Sequence, residues 1–261
     1  KLSINTILPL VVLFSVLGIY FLTVAHYPIN HADSNELMTA AYVGGIAHPP
    51  SYPLYTFLLG LFMRLPLASP ALGGNFSSAL FQSLALAFLT YALLLFLELK
   101  ERKPLVVKVA TVSALLAISF SNQIWTYATI AEVFALNNLF ISLFFLGTIQ
   151  WYRLFLENNP QQWLWLYITC LVAGLGLAHH QTFLFLLPGW TILIIMSLKQ
   201  QISRQKIIYS IGIGLVGFFS SYSLLWYFDQ LKSPFGWFFT PNFAGLIFTI
   251  TRGLYTNQGS A

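Results

Sequence analysis

Long apolar runs alternate with short polar turns along this chain. A bilayer core of about 30 Å needs about 20 apolar residues to cross it. The pattern predicts membrane helices over residues 4–25, 75–97, 105–120, 133–152, 163–178, 183–198 and 207–228. That is an all-α polytopic helix bundle with about seven transmembrane helices. A kink is expected at Pro188, because proline removes a helix hydrogen bond and clashes with the preceding turn. The first run is too long for a signal-peptide core and lacks a small-x-small cleavage site, so it reads as a retained helix. The sequence shows no internal repeat and no low-complexity segment.

The polar connections carry the chemistry. The longest runs through residues 31–55, HADSNELMTAAYVGGIAHPPSYPLY, directly after the first apolar run. Residues 34–42 form a short helix in this reading. Asp33 is its N-cap and Glu36 stands three residues on, as in a capping box. The run His48-Pro49-Pro50-Ser51-Tyr52-Pro53 is held extended, since each proline fixes φ and biases its predecessor away from helix. Residues 54–65 are apolar but only about 12 long, too short to span, so they read as interfacial or re-entrant. A second polar connection covers residues 121–132, and a polar, aromatic tail follows residue 228.

Composition agrees with the pattern. The chain is 57% hydrophobic and 7% charged, with mean hydropathy +0.75. Soluble domains carry about 25% charged residues. The net charge of +5 does not point to nucleic acid, because the basic residues cluster in membrane turns. If Lys1 is cytoplasmic, so are Lys100, Arg102, Lys103, Lys108, Arg153, Lys199, Arg204 and Lys206 of the twelve basic residues. Arg64, Lys232 and Arg252 remain opposite, which fits the positive-inside bias. In this orientation all five histidines and Asp33, Glu36, Glu132 and Asp229 face the non-cytoplasmic side. The single Cys170 forms no internal disulfide.

Asp33 is the leading catalytic candidate. An acid at the membrane edge is costly and suggests function; as a carboxylate it can serve as general base for a hydroxyl. Its alternative role is helix capping. Glu36 either binds a hydroxyl or lies on a solvated helix face. His48 either donates to a phosphate or sugar or is a plain loop histidine. Glu132 opens the fourth helix, where the dipole favours an acid. His179 and His180 close the fifth helix and suit cation or phosphate contacts. As neighbours they point apart, so a shared metal is not expected. Arg252 either meets a phosphate or Asp33, or snorkels at the interface. Trp125, Tyr127, Trp237 and Phe238 fit an aromatic belt at headgroup level.

Several motifs resemble a known family. They are Asp33-Ser34-x-Glu36-Leu37, Ala40-Ala41-Tyr42 and Gly45-Ile46-Ala47-His48-Pro49-Pro50-x-Tyr52-Pro53-Leu54-Tyr55. Further along come Asn75-x-x-Ser78-Ala79, Glu132-Val133-x-Ala135-Leu136-Asn137, Gly176-Leu177-x-x-His180-Gln181-Thr182 and Thr251-Arg252-x-x-Tyr255. Together they resemble the protein O-mannosyltransferase family of the transmembrane-protein-260 type, placed in the GT-C glycosyltransferase superfamily. Ser51 and Asn35 stand where glycines are common in that family. The resemblance implies a GT-C-like bundle whose first outer loop bears short helices. It implies transfer of a monosaccharide, mannose first among them, from a polyprenyl- or dolichyl-phosphate sugar to a protein hydroxyl with inversion. Asp33 would be the base. Glu36, His48, Tyr52, Glu132, His179, His180 and Arg252 would bind donor or acceptor.

No cofactor is expected beyond the lipid-linked sugar, and no metal. The membrane would be the endoplasmic reticulum or a bacterial inner membrane, with the site on the non-cytoplasmic side. The other readings are transfer to an envelope lipid or glycan, and a non-catalytic lipid-binding or transport protein. The chain reads as a single domain from the N-terminal part of a longer protein.

Overall fold

A computed structural model describes residues 3–99, 103–198, 204–237 and 239–256. Lys1, Lys100, Arg102 and Lys199 of the charge argument, and Phe238 of the aromatic set, lie outside these residues. The elements are α1 (Ile4–Thr23), α2 (Ser34–Val43), α3 (Pro53–Phe62), α4 (Pro70–Leu97), α5 (Leu105–Ser119) and α6 (Asn122–Thr129). After them come α7 (Val133–Leu156), α8 (Gln162–His179), a 3-10 segment (Gln181–Leu186), α9 (Leu187–Leu198), α10 (Arg204–Gln230), α11 (Phe243–Ile250) and α12 (Gly253–Thr256). Among the described residues there is no strand.

Five helices are long and apolar enough to cross a membrane: α1, α4, α7, α8 and α10. A sixth span exists if α5 and α6, which meet at a 65° bend, are taken together. The expectation of about seven spans is therefore high among the described residues. Two local causes account for it. The polar stretch after residue 120 is not a plain loop but helix α6, because its apolar side chains fall on one face and Trp125 packs against Phe120. The run over residues 183–198 is divided. Pro188 stands in the first turn of α9, where its missing N–H costs nothing, so the kink expected there is a break between a 3-10 segment and a new helix.

The long helices pack in the order α1, α4, α7, α8, α10. Small residues allow the closest approaches: a Cβ at Gly174 of α8 would stand 1.9 Å from the Gly214 carbonyl oxygen of α10. At one end a polar cluster ties three helices. Lys108 of α5 pairs with Glu98 at the end of α4 and donates to Asn5 of α1 at 2.8 Å, and Asn5 donates to Glu98 at 2.6 Å.

The other end carries the first outer loop. Proline and serine start signals set its borders. Ser69 caps α4, accepting from the Leu72 N–H at 3.1 Å, and Pro70 occupies the first turn. The same hydroxyl donates to the His26 carbonyl at 2.7 Å, closing the loop at its base. Gly44 ends α2 in the left-handed region (φ 71), the usual C-terminal cap. Helix α3, expected to be interfacial or re-entrant, packs into the protein. Tyr55 and Leu59 are fully buried, and the helix packs against α2, α4, α8 and α10. Thus α2 and α3 form a layer over the ends of the long helices.

Candidate active site

Asp33 is the N-cap residue of α2, as expected, yet its side chain makes no capping hydrogen bond. Glu36 does not return to the N-cap either, so the capping box is absent. The Asp33 carboxylate stays 57% exposed, with His48 Nε2 3.5 Å away. Its backbone N–H is held instead by Glu132 Oε1 at 2.8 Å. The loop thus fixes the main chain of Asp33 and leaves its carboxylate available.

Glu36 is consumed within the protein. Its Oε1 accepts from the His48 backbone N–H at 2.7 Å and from the Trp237 indole at 2.8 Å. Its Oε2 accepts from His48 Nδ1 at 2.8 Å. Burial would raise the Glu36 carboxyl, but these donors and the His48 charge outweigh it and hold it below the usual carboxylate range. Burial would lower His48, but the bond to Glu36 and the charges of Glu36 and Asp33 raise it. His48 faces Asp33 through Nε2 and is anchored through Nδ1. Trp237, expected in an aromatic belt, reaches this site through its indole; its backbone N–H also bonds the Ile46 carbonyl at 2.8 Å.

Glu132 is 1% exposed. Its Oε2 caps α7 through the Val133 N–H at 3.2 Å, and its own N–H donates to Ser78 Oγ at 3.2 Å. One turn earlier on α4, Asn75 accepts from the Ala131 N–H at 2.8 Å and donates to the Ala25 carbonyl at 2.8 Å. Asn75 and Ser78 thus bind the segment after α1 and the segment before α7 to one helix. Burial, the largest cause, and the charge of Asp33 raise the Glu132 carboxyl to about 7, against the two N–H bonds that lower it. Both Glu132 oxygens are spent on backbone, so the geometry makes it a support for Asp33 rather than a substrate ligand.

The two histidines separate. His179 is buried, with Nε2 2.9 Å from the Val133 carbonyl and rings of Tyr52, Tyr55 and Phe140 around it. The expectation that it contacts phosphate is corrected: the last turn of α8 points it into the core. His180 ends α8 and turns outward. Its Nδ1 lies 2.7 Å from the Thr182 hydroxyl and 3.3 Å from the Thr182 backbone nitrogen, which holds the ring against the start of the 3-10 segment. Burial and the Arg252 charge lower its pKa, so it is neutral near pH 7.

The Tyr52 ring stacks on His180 at 6.3 Å and 18°, and meets His48 edge-on at 5.4 Å. Arg252, with φ 56, donates to the Tyr52 hydroxyl at 3.4 Å. Among the described residues Arg252 pairs with no carboxylate, so neither the expected pairing with Asp33 nor simple snorkelling describes it. Its guanidinium and the rings of His180 and His48 gather around Tyr52. Asp33 supplies the exposed acceptor beside them.

Asp33, Glu36 and His48 each offer a ligand atom within 4.8 Å of the others, so they are the described residues able to hold a cation. The donor set fits poorly: the Glu36 oxygens and His48 Nδ1 are already hydrogen-bonded to one another or to neighbours. Sequence reasoning did not find Trp237, Ser78 or Thr182 as parts of this region. The Asn75-x-x-Ser78 spacing, one helical turn, and the His180-Gln181-Thr182 run carried local signals.

The chain was compared with known proteins. Residues 33–222 match the family model described as Protein O-mannosyl-transferase TMEM260 N-terminal domain. A Dictyostelium discoideum protein named Protein O-mannosyl-transferase tmem260 is 28% identical over 265 residues, covering 96% of this chain and 31% of that protein. A Mus musculus protein named Protein O-mannosyl-transferase TMEM260 is 36% identical over 137 residues, covering 52% of this chain and 18% of that protein. The chain thus spans less than a third of the length of these curated relatives. No solved structure gives a significant match. With most of the chain inside the matched region, this helical membrane protein belongs to the TMEM260 N-terminal-domain family of protein O-mannosyl-transferases.

Proposed function

We propose that this chain carries the catalytic end of a membrane O-mannosyltransferase of GT-C type. A polyprenyl- or dolichyl-phosphate mannose is the donor, and a protein Ser or Thr hydroxyl is the acceptor. The carrying observation is the Asp33 carboxylate: its main chain is pinned by Glu132, its side chain caps nothing, and His48 stands at 3.5 Å. A positioned carboxylate of this kind can take the hydroxyl proton as general base. The hydroxyl oxygen then bonds the anomeric carbon, the bond from that carbon to the phosphate oxygen breaks, and lipid phosphate leaves with the electron pair. Attack opposite the leaving group inverts the anomeric centre.

The cationic side supports the leaving phosphate. Arg252, placed at Tyr52, and the His180 ring suit phosphate oxygens, and charge stabilisation at a forming anion is a large catalytic term. His48, held by Glu36, orients the Asp33 carboxylate. Along the sequence most basic residues fall in the turns after the second, fourth and sixth apolar runs, and this bias supports a site on the non-cytoplasmic side of the endoplasmic reticulum or bacterial inner membrane. Full-length protein in nanodiscs, given radiolabelled polyprenyl-phosphate sugars and acceptor protein, tests the reading. Label appearing on Ser or Thr from the mannosyl donor supports it. Label entering only lipid or glycan contradicts the protein acceptor, and no transfer from any donor contradicts the enzyme.

A further inference from the structure

A small cavity of about 210 Å³ lies between α4, α6 and α7 and is lined by Gln82, Gln123, Ile124, Tyr127, Phe134 and Asn138. It is smaller than the roughly 300 Å³ at which pockets for drug-sized ligands begin. Its lining is unusual for a helix interface facing hydrocarbon, with three amides and a phenol converging from three helices. Gln82 and Asn138 join α4 to α7 through one hydrogen bond, Asn138 Nδ2–H to Gln82 Oε1 at 2.8 Å. Such interhelical bonds in membranes contribute only about 0.6 kcal/mol on average, so adhesion between helices needs no more than this one pair. The bond leaves Gln82 Nε2 and Asn138 Oδ1 without a protein partner among the described residues. Gln123 adds a third amide from α6.

The position is as informative as the chemistry. Phe134 lines the cavity and packs against His180 at 5.8 Å. Tyr127 lines it too, meets Phe134 at 4.8 Å, and meets His31, two residues before Asp33, at 5.8 Å. Glu132, which holds Asp33, opens the helix that carries Phe134 and Asn138. The cavity wall is thus linked through Tyr127 and His31 to the segment that carries Asp33, and through Phe134 to His180. Amides that both donate and accept match adjacent sugar hydroxyls, and two aromatic rings offer apolar faces to a pyranose.

We propose that this cavity binds the hexose ring of the lipid-linked donor, with Gln82, Gln123 and Asn138 reading its hydroxyl pattern; the inference rests on the transferase reading above. The test uses full-length protein in nanodiscs with polyprenyl-phosphate mannose and its C2 epimer, polyprenyl-phosphate glucose. Gln123→Ala touches no interhelical bond and decides the matter; Asn138→Ala is the companion variant. Each is expected to raise the mannosyl-donor KM by about fivefold to tenfold, the scale of one hydrogen bond to substrate, and to narrow the mannose-to-glucose preference. Melting of Gln123→Ala stays at the wild-type value. Wild-type transfer with an unchanged KM and preference in Gln123→Ala overturns the subsite while the enzyme reading stands. Absence of transfer by wild type from any donor overturns both.

Discussion

The backbone N–H of Asp33 donates to Glu132 Oε1 at 2.8 Å, across 99 positions of sequence. The bond joins the first outer loop to the start of α7. It places a buried acid under an exposed one. Removing it leaves a donor unpaired, at about 1–3 kcal/mol, and frees the main chain that aims the Asp33 carboxylate. Glu132→Gln retains the size but sets an NH2 against one of the two N–H groups. We expect kcat to fall about tenfold or more with a smaller change in donor KM, since geometry rather than binding is lost. A lowered affinity with unchanged kcat contradicts the positioning role.

The same residue sets a pH dependence. Its native pKa is raised from 4.5 to about 7, so between these values the native state holds more protons than the unfolded state. Stability is then fully present below pH 4.5 and is lost as pH rises through about 7, by about 3 kcal/mol if the whole difference is expressed. His48, also raised, acts in the same direction near and above neutrality. Glu36, lowered, acts the opposite way, losing its contribution as pH falls below its usual range. Denaturation midpoints at pH 5 and pH 8 check this. Wild type falls between them, and Glu132→Gln falls less; equal slopes contradict the burial argument.

Ser51 has φ 74 and Tyr52 has φ 41, two successive side-chain-bearing residues in the left-handed region. Such positions cost about 1–3 kcal/mol, and glycine occupies them freely. Ser51 thus stands at a strained turn that a glycine would adopt without strain. Ser51→Gly should stabilise by about 0.5–1 kcal/mol with transfer retained, while Ser51→Val should destabilise by at least about 2 kcal/mol. Melting curves read both, and a stabilising valine would contradict the strain.

Much of this was legible in the sequence. The helical class and the polar loops follow from apolar run length and proline placement, and the motifs singled out Asp33, His48, His180 and Arg252, which the fold gathers around His48 and Tyr52. What was not legible is long-range. Glu36 spaced as a capping partner turns to Trp237, which is 201 positions away, and no local pattern reports that. The single-residue step from His179 to His180 separates a core position from a partly exposed one, and adjacent letters look alike. The bend after Ser119 and the break before Pro188 depend on packing that run length does not register.

Activity should survive chelation. The Glu36 oxygens and His48 Nδ1 are mutually bonded, so a cation at Asp33, Glu36 and His48 must displace those bonds. Transfer measured after EDTA treatment and gel filtration is expected to match untreated enzyme. Loss of transfer that a divalent cation restores would assign these three residues to a metal.

The most direct test of the central claim is Asp33→Asn in the full-length protein, assayed with polyprenyl-phosphate mannose and acceptor protein. The amide keeps the shape and removes the base. Base catalysis contributes about 100-fold to 10,000-fold, so transfer should fall by at least about a hundredfold, with melting close to wild type because the Asp33 side chain caps nothing. Transfer at the wild-type rate in a folded Asp33→Asn protein would contradict the account.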